Sequence, residues 1–173
     1  LGLPHGQFLA EVKPLVSSEP QAHGLDQIEF LISTNPGLPP KPLSKVASGG
    51  ELSRISLAIQ VTTSTEKTTP IMIFDEVDSG IGGGIAEIVG QKLRQLSAKR
   101  QVLCVTHLPQ VAAQAHQHLF VAKDQQLDMT ASTVFNLSEQ ERVQELARML
   151  GGVTITANTL AHAEEMLQMG SRQ

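Results

Sequence analysis

Two short apolar runs, set about one helix apart, constrain this chain more than anything else in it. Ile71 to Phe74 and Val102 to Val105 are each four residues long and contain no polar interruption. A run of that length without alternation reads as a strand buried on both faces, as parallel strands are. From about Gly83, the residues Ile85, Ile88, Val89, Leu93 and Leu96 recur at helical spacing and form one apolar face. The order is strand, helix, strand. Such a crossover is right-handed almost without exception, so both strands end on the same edge of one sheet. An α/β fold is expected, and the residues just past each strand, Asp75-Glu76 and Thr106-His107, come to that edge.

The rest of the chain is read around this unit. Phe8, Ala10 and Val12 alternate with Leu9 and Glu11, and Ile28, Phe30 and Ile32 alternate with Gln27, Glu29 and Leu31, which predicts two half-buried strands. A loop with Pro14, Pro20 and Gly24 joins them. Asn35 to Pro42 crowds three of its four prolines into four residues, so it is expected to be neither helix nor central strand but a rigid connector. From Glu51 to about Thr65, Leu52, Ile55, Leu57, Ala58, Ile59 and Val61 go most of the way round a helix, which should be largely buried. Leu108 to Ala115 reads as a short helix. Leu119 to Ala122 and Met129 to Leu137 read as a hairpin turning at about Asp124 to Gln126. Ser138 and Glu141 form a capping box for a helix carrying Val143, Leu146, Ala147 and Leu150 and stopping at Gly151-Gly152. A last helix carries Leu160, Ala163 and Leu167 and ends near Gly170. No internal repeat and no second domain boundary is visible.

Composition narrows the function. At 173 residues and 40% hydrophobic, the chain holds one core or a large part of a bigger domain. It has no tryptophan or tyrosine and a net charge of −4, so a surface that stacks or neutralises nucleic acid has no support in composition. The cations Lys92, Arg94, Lys99 and Arg100 near one helix end are explained by the helix dipole. A lone cysteine, Cys104, excludes an internal disulfide and points to a reducing, cytoplasmic setting. No run is long enough to span a membrane, and the first residues are not those of a signal peptide. A start at Leu1 rather than methionine points to a fragment.

Chemistry is concentrated in three places. Ser48 and Glu51 make a capping box, yet such a box does not need Gly49 and Gly50 as the first helical residues. Bare glycine amides beside a hydroxyl at the positive end of a helix also suit an anion such as phosphate, and both readings stay open. Asp75 and Glu76 either begin a solvated loop or divide two roles, Asp75 holding Mg²⁺ directly or through water and Glu76 polarising a water that attacks a phosphate. His107, on the same edge, suits a donor to a phosphate oxygen and is expected near the two acids. Cys104 falls inside an apolar run and reads as a small hydrophobe rather than a nucleophile. Gly80, Gly82, Gly83 and Gly84 do not complete a dinucleotide-binding fingerprint, and the sequence contains no phosphate-binding G-x-x-x-x-G-K-[ST] loop.

Taken in order, Ala47-Ser48-Gly49-Gly50-Glu51, Ile71 to Glu76 and Val105-Thr106-His107 resemble the signature motif, Walker B motif and switch histidine of an ABC-type ATPase head. Asp75-Glu76-Val77-Asp78 is similar to the branch shared by SMC-like chromosome and DNA-repair proteins. Phe30 to Gly37, Lys45 to Gln60, Asp75 to Gly83 and Cys104 to Gln114 resemble its bacterial DNA-repair members, and the likeness runs from about Gly24 to Leu167. What the resemblance implies is the C-terminal half of a P-loop head acting in DNA double-strand-break repair and recombination. Within it, residues 1–44 would supply strands and connector, 45–66 the signature motif and its helix, 70–123 the Walker B and switch segments, and 124–173 the terminal hairpin strand and helices. ATP and Mg²⁺ would be its ligands. The N-terminal half would bring the Walker A loop and a coiled coil, two heads would sandwich ATP as a homodimer, and DNA would be a partner of the full-length protein in the cytoplasm, at the nucleoid.

Carried over by residue, Ser48, Gly49, Gly50 and Glu51 would meet ATP held by the partner head. Asp75 would serve Mg²⁺, Glu76 the attacking water and His107 the γ-phosphate, with Asp78, Ser79 and Gly80 in the D-loop region. Ala47 departs from the usual leucine of the signature, and Gly82 from the usual D-loop aspartate. Alternatives are a head of another SMC-like ATPase, a non-catalytic protein-interaction module, and a magnesium-dependent phosphatase.

Overall fold

The computed structural model describes residues 5–15, 24–34, 37–45, 49–63, 69–126, 129–151 and 154–171. Strand β1 (Gln7–Pro14) pairs antiparallel with β2 (Asp26–Ser33), with Ala10 opposite Phe30. Phe8 and Phe30 lie on one face as the alternation requires, their ring centroids 5.4 Å apart. The connector corrects one expectation: its last residues form a two-residue edge strand, β3 (Lys41–Pro42), with Leu31 opposite Pro42, before a 3₁₀ turn over Leu43–Lys45. Proline is admitted there because an edge strand has one side with no ladder bond to lose. Asn35 and Pro36 lie outside the described residues.

The crossover forms as expected. β4 (Ile71–Phe74) and β5 (Gln101–Cys104) are parallel, with Phe74 opposite Cys104, and α2 (Gly83–Ser97) joins them. The first core lies between α1 (Gly49–Thr62), α2 and one face of this strand pair, and it centres on Leu57, Phe74, Val77, Val89 and Leu93. Four burial expectations change, the first being that Phe8, Val12, Ile28 and Phe30 of the expected half-buried β1 and β2 are exposed. Among the described residues only one face of β4 and β5 is covered, and Ile73 on the other is 70% exposed. On α1, Leu52 and Ile59 are exposed while Ile55 and Leu57 are buried. On α2 the core stripe is Ala86, Val89, Leu93 and Leu96, whereas Ile85 and Ile88 stand outside it. The sequence supplies apolar surface for more neighbours than the described residues contain.

A second core is helical. After α3 (Pro109–Ala112), β6 (Leu119–Gln126) pairs with β7 (Met129–Asn136), followed by α4 (Glu139–Gly151) and α5 (Ala157–Ser171). The hairpin turns later than expected: Gln126 still pairs with Met129, so Asp124 to Gln126 belong to the strand. Polar composition there does not mark the turn, since backbone pairing continues whatever the side chains. The Ser138–Glu141 capping box closes, with the Ser138 amide donating to Glu141 Oε2 at 2.8 Å. Leu146, Ala147 and Ala163 pack against Ala112 and Ala113 of the α3 segment, while Val111 belongs to the first core. The α3 segment therefore joins the two cores. No helix among the described residues is long and apolar enough to cross a membrane.

Candidate functional site

The parallel pairing of β4 and β5 delivers two loops side by side. Past the ladder, the Val105 amide donates to the Phe74 carbonyl at 2.9 Å, so Asp75 and Thr106 leave the sheet together. Asp75 and Glu76 are both exposed, as a site open to solvent requires. Glu76 has φ of 56°, the left-handed region that side chains other than Gly, Asn and Asp seldom enter. Its amide donates to Asp75 Oδ1 at 2.9 Å, and its carbonyl accepts from the Ser79 amide at 3.0 Å. Fully buried Val77 anchors this tight turn.

Two of the candidate segments meet the turn from Glu76 to Ser79, which continues the third. The first is the start of α1. A Cβ placed on Gly49 would lie 2.5 Å from Glu76 Oε2, and one on Gly50 would lie 2.8 Å from Ser79 Cβ and 3.0 Å from the Ser79 carbonyl oxygen. Both glycines therefore have an intramolecular use: their bare faces admit the turn. Buried Arg54, one helical turn further on, donates to the Ser79 carbonyl at 2.7 Å, and Ser53 Oγ donates to the Asp75 carbonyl at 2.9 Å. Ser48 and Ala47 lie outside the described residues, and so does the capping box that Ser48 would make with Glu51.

The second meeting is with the segment after β5. Asp78 is only 3% exposed. Its Oδ2 accepts from Thr106 Oγ1 at 2.5 Å and from the His107 amide at 3.0 Å, and His107 Nδ1 lies 3.3 Å away. The acid in contact with His107 is thus Asp78, whereas the sequence pointed to Asp75 and Glu76. The imidazole itself remains open, with 73% of the side chain exposed. Gly80 completes the turn at φ of 71°, and Gly82 is an extended N-cap of α2 that offers no capping side chain.

Sequence reasoning missed Arg54, named Thr106 only as part of the motif around His107, and gave Asp78 only a place in the D-loop region. A signal for Asp78 was present, since an acid directly after an apolar Val77 in a tight turn is placed close to the core. No comparable signal marked Arg54, a cation on a helix whose other residues were read only for their apolar face. Burial, reinforced by Asp78 and Asp75, pushes the Cys104 thiol up to about 12, which leaves it protonated and agrees with a packing role. Among the described residues no group of three His, Cys, Asp or Glu side chains could hold a metal ion by itself. One exposed carboxylate at a strand end does suit Mg²⁺, which usually keeps several waters and takes one or two carboxylates plus phosphate oxygens.

The chain is similar to known proteins. The chain is 55% identical over 168 residues, 97% of its length, to a protein of Xylella fastidiosa (strain 9a5c) named DNA repair protein RecN. Proteins of the same name from Vibrio cholerae and Bacillus subtilis are 52% and 47% identical over 167 and 165 residues. The chain spans about 30% of the length of these relatives. No family model matches it. A solved structure from work on ATP-driven dimerisation and DNA-stimulated activation of SMC ATPases superposes with a TM-score of 0.52 at 21% identity, covering 87% of this chain and 85% of that one. Along nearly its whole length the chain is homologous to part of the RecN proteins, and it shares the α/β fold of the SMC ATPase structure.

Proposed function

We propose that this chain is the C-terminal segment of the ATP-hydrolysing head of a RecN-like protein acting in DNA double-strand-break repair and recombination. The observation that carries the reading is the convergence of the α1 start, the Asp75–Glu76 strand end and the His107 segment on one turn. Phosphoryl transfer needs positioned charge more than covalent help, and this edge gathers acid, imidazole and helix N-terminus within one short turn.

In this reading the exposed Glu76 carboxylate takes the proton of the attacking water, and the exposed Asp75 carboxylate would hold Mg²⁺, directly or through water. The cation supplies neutralisation of phosphate charge when bound. His107, anchored through its backbone and Nδ1, offers its ring to the γ-phosphate. Ser48, Gly49, Gly50 and Glu51 present the N-terminus of α1 to ATP held by a second head. The phosphate loop comes from an N-terminal half of the same protein, linked through a coiled coil. The open apolar face of β4 and β5, with Ile71, Ile73 and Val105, is where that half packs, because a parallel sheet needs both faces covered. DNA binding belongs to the full-length homodimer, in the cytoplasm at the nucleoid.

The test is Glu76→Gln in the longer protein with both halves present. Turnover should fall on the order of 100-fold or more, as loss of a general base does, while ATP-dependent dimerisation followed by light scattering persists. Unchanged turnover would remove Glu76 from the reaction.

A further inference from the structure

We infer that Asp78 is a positioning residue for the His107 ring, orienting it toward phosphate through Nδ1. This rests on the proposed role of His107 at the γ-phosphate. An aspartate only 3% exposed is unusual, because carboxylates are seldom fully buried unless they are paired. Its partners are all on one segment: Thr106 Oγ1 at 2.5 Å, the His107 amide at 3.0 Å and His107 Nδ1 at 3.3 Å from the same oxygen. Thr106 Oγ1 in turn accepts from the Leu108 amide at 3.1 Å, so the segment is pinned on both sides of the histidine.

A hydroxyl and an amide would be satisfied by the neutral oxygen of an asparagine. The imidazole is what gains from the full charge. A carboxylate at Nδ1 favours the tautomer with its proton there and fixes the plane of the ring. That leaves Nε2 as the free nitrogen of a side chain that is 73% exposed. Asp78 also shares its turn with Glu76 and with Ser79, which receives Arg54 from α1. One turn thereby sets the backbone of Glu76, the ring of His107 and the seat of α1.

The experiment is a double-mutant cycle on ATP hydrolysis by the longer protein with both halves present, comparing wild type, Asp78→Asn, His107→Ala and the double variant. Asp78→Asn is expected to lower kcat at least about tenfold with KM for ATP within about twofold, as loss of a transition-state contact does. In the His107→Ala background the same substitution should change kcat less than about twofold, since the two act as one unit. An equal loss in both backgrounds overturns the inference and makes Asp78 a structural residue. Slow His107→Ala beside normal Asp78→Asn overturns the inference alone. Normal His107→Ala overturns the role of His107 and the inference with it. If Asp78→Asn does not fold, Asp78→Ser, which adds no new amide donor, is read in the same cycle.

Discussion

Glu76 carries the main local cost in the site. A side chain at φ of 56° costs on the order of 1–2 kcal/mol, and two hydrogen bonds of its own backbone help to hold it there. Its carboxylate meets Gly49, so the strain places an acid against the start of α1. The acid pair was legible in the sequence, because two adjacent carboxylates at the end of an apolar run have little structural purpose. The strained backbone was not, since φ depends on the turn that Val77 anchors. Cys104 was also legible as a packing residue from its place inside the run. With its thiol pushed up to about 12 by burial first and by Asp78 and Asp75 next, almost none is thiolate at neutral pH. At pH 7.5, Ellman's reagent should modify Cys104 at least about tenfold more slowly in the folded protein than in denaturant. Equal rates would show that the thiol is open.

The glycines at the start of α1 separate when the element is considered with its neighbours. Alanine at position 50 meets the Ser79 backbone, which cannot move without the turn. Gly50→Ala is expected to destabilise by about 1 kcal/mol or more in urea unfolding, the overpacking cost exceeding the gain in helix propensity. Alanine at position 49 meets only the carboxylate end of Glu76, so stability should change by less than about 1 kcal/mol while that carboxylate is displaced. Gly84→Ala, in the first turn of α2 with no atom within 4 Å, is the control and should be neutral or stabilising by up to about 1 kcal/mol. Equal effects at 49 and 50 would refute the distinction. Local pattern marked these elements well: the crossover, the Ser138–Glu141 box and the last helix all stand where periodicity put them. It failed at the connector and hairpin, where β3 and the extension of β6 depend on a partner strand rather than on composition.

At the scale of the molecule, the α3 segment and the turn after it hold two cores together. Arg94 from α2 donates to the Gln114 carbonyl at 2.7 Å, and Arg142 from α4 to those of Ala115 and His116 at 2.7 and 3.2 Å. Close backbone approach helps as well, because a Cβ on Gly90 would lie 2.8 Å from Gln114 Cγ. His118 closes the segment, its Nε2 donating to the Ala112 carbonyl at 2.8 Å in the neutral ring. Burial, more than the opposing pull of that carbonyl, holds its pKa below the ordinary 6.5. The unfolded chain therefore binds more protons between the depressed folded value and 6.5, and stability is lost as pH falls through that window. The melting temperature should drop more between pH 7.5 and 5.5 in the wild type than in His118→Gln, which keeps a donor without the titration. Equal drops would remove His118 from the acid response.

The sequence by itself determined the order of strand, helix and strand, the shared edge at which Asp75, Glu76 and His107 emerge, and the helix start at Gly49-Gly50. These are local: they follow from apolar period, crossover handedness and capping chemistry within short windows. Only the tertiary structure decided that Asp78 is the acid meeting His107, that Ser79 fills the space beside Gly50, and that Arg54 is buried against the same turn. Those contacts join residues 25 to 29 positions apart, and they depend on how α1 and the two loops pack over one sheet edge.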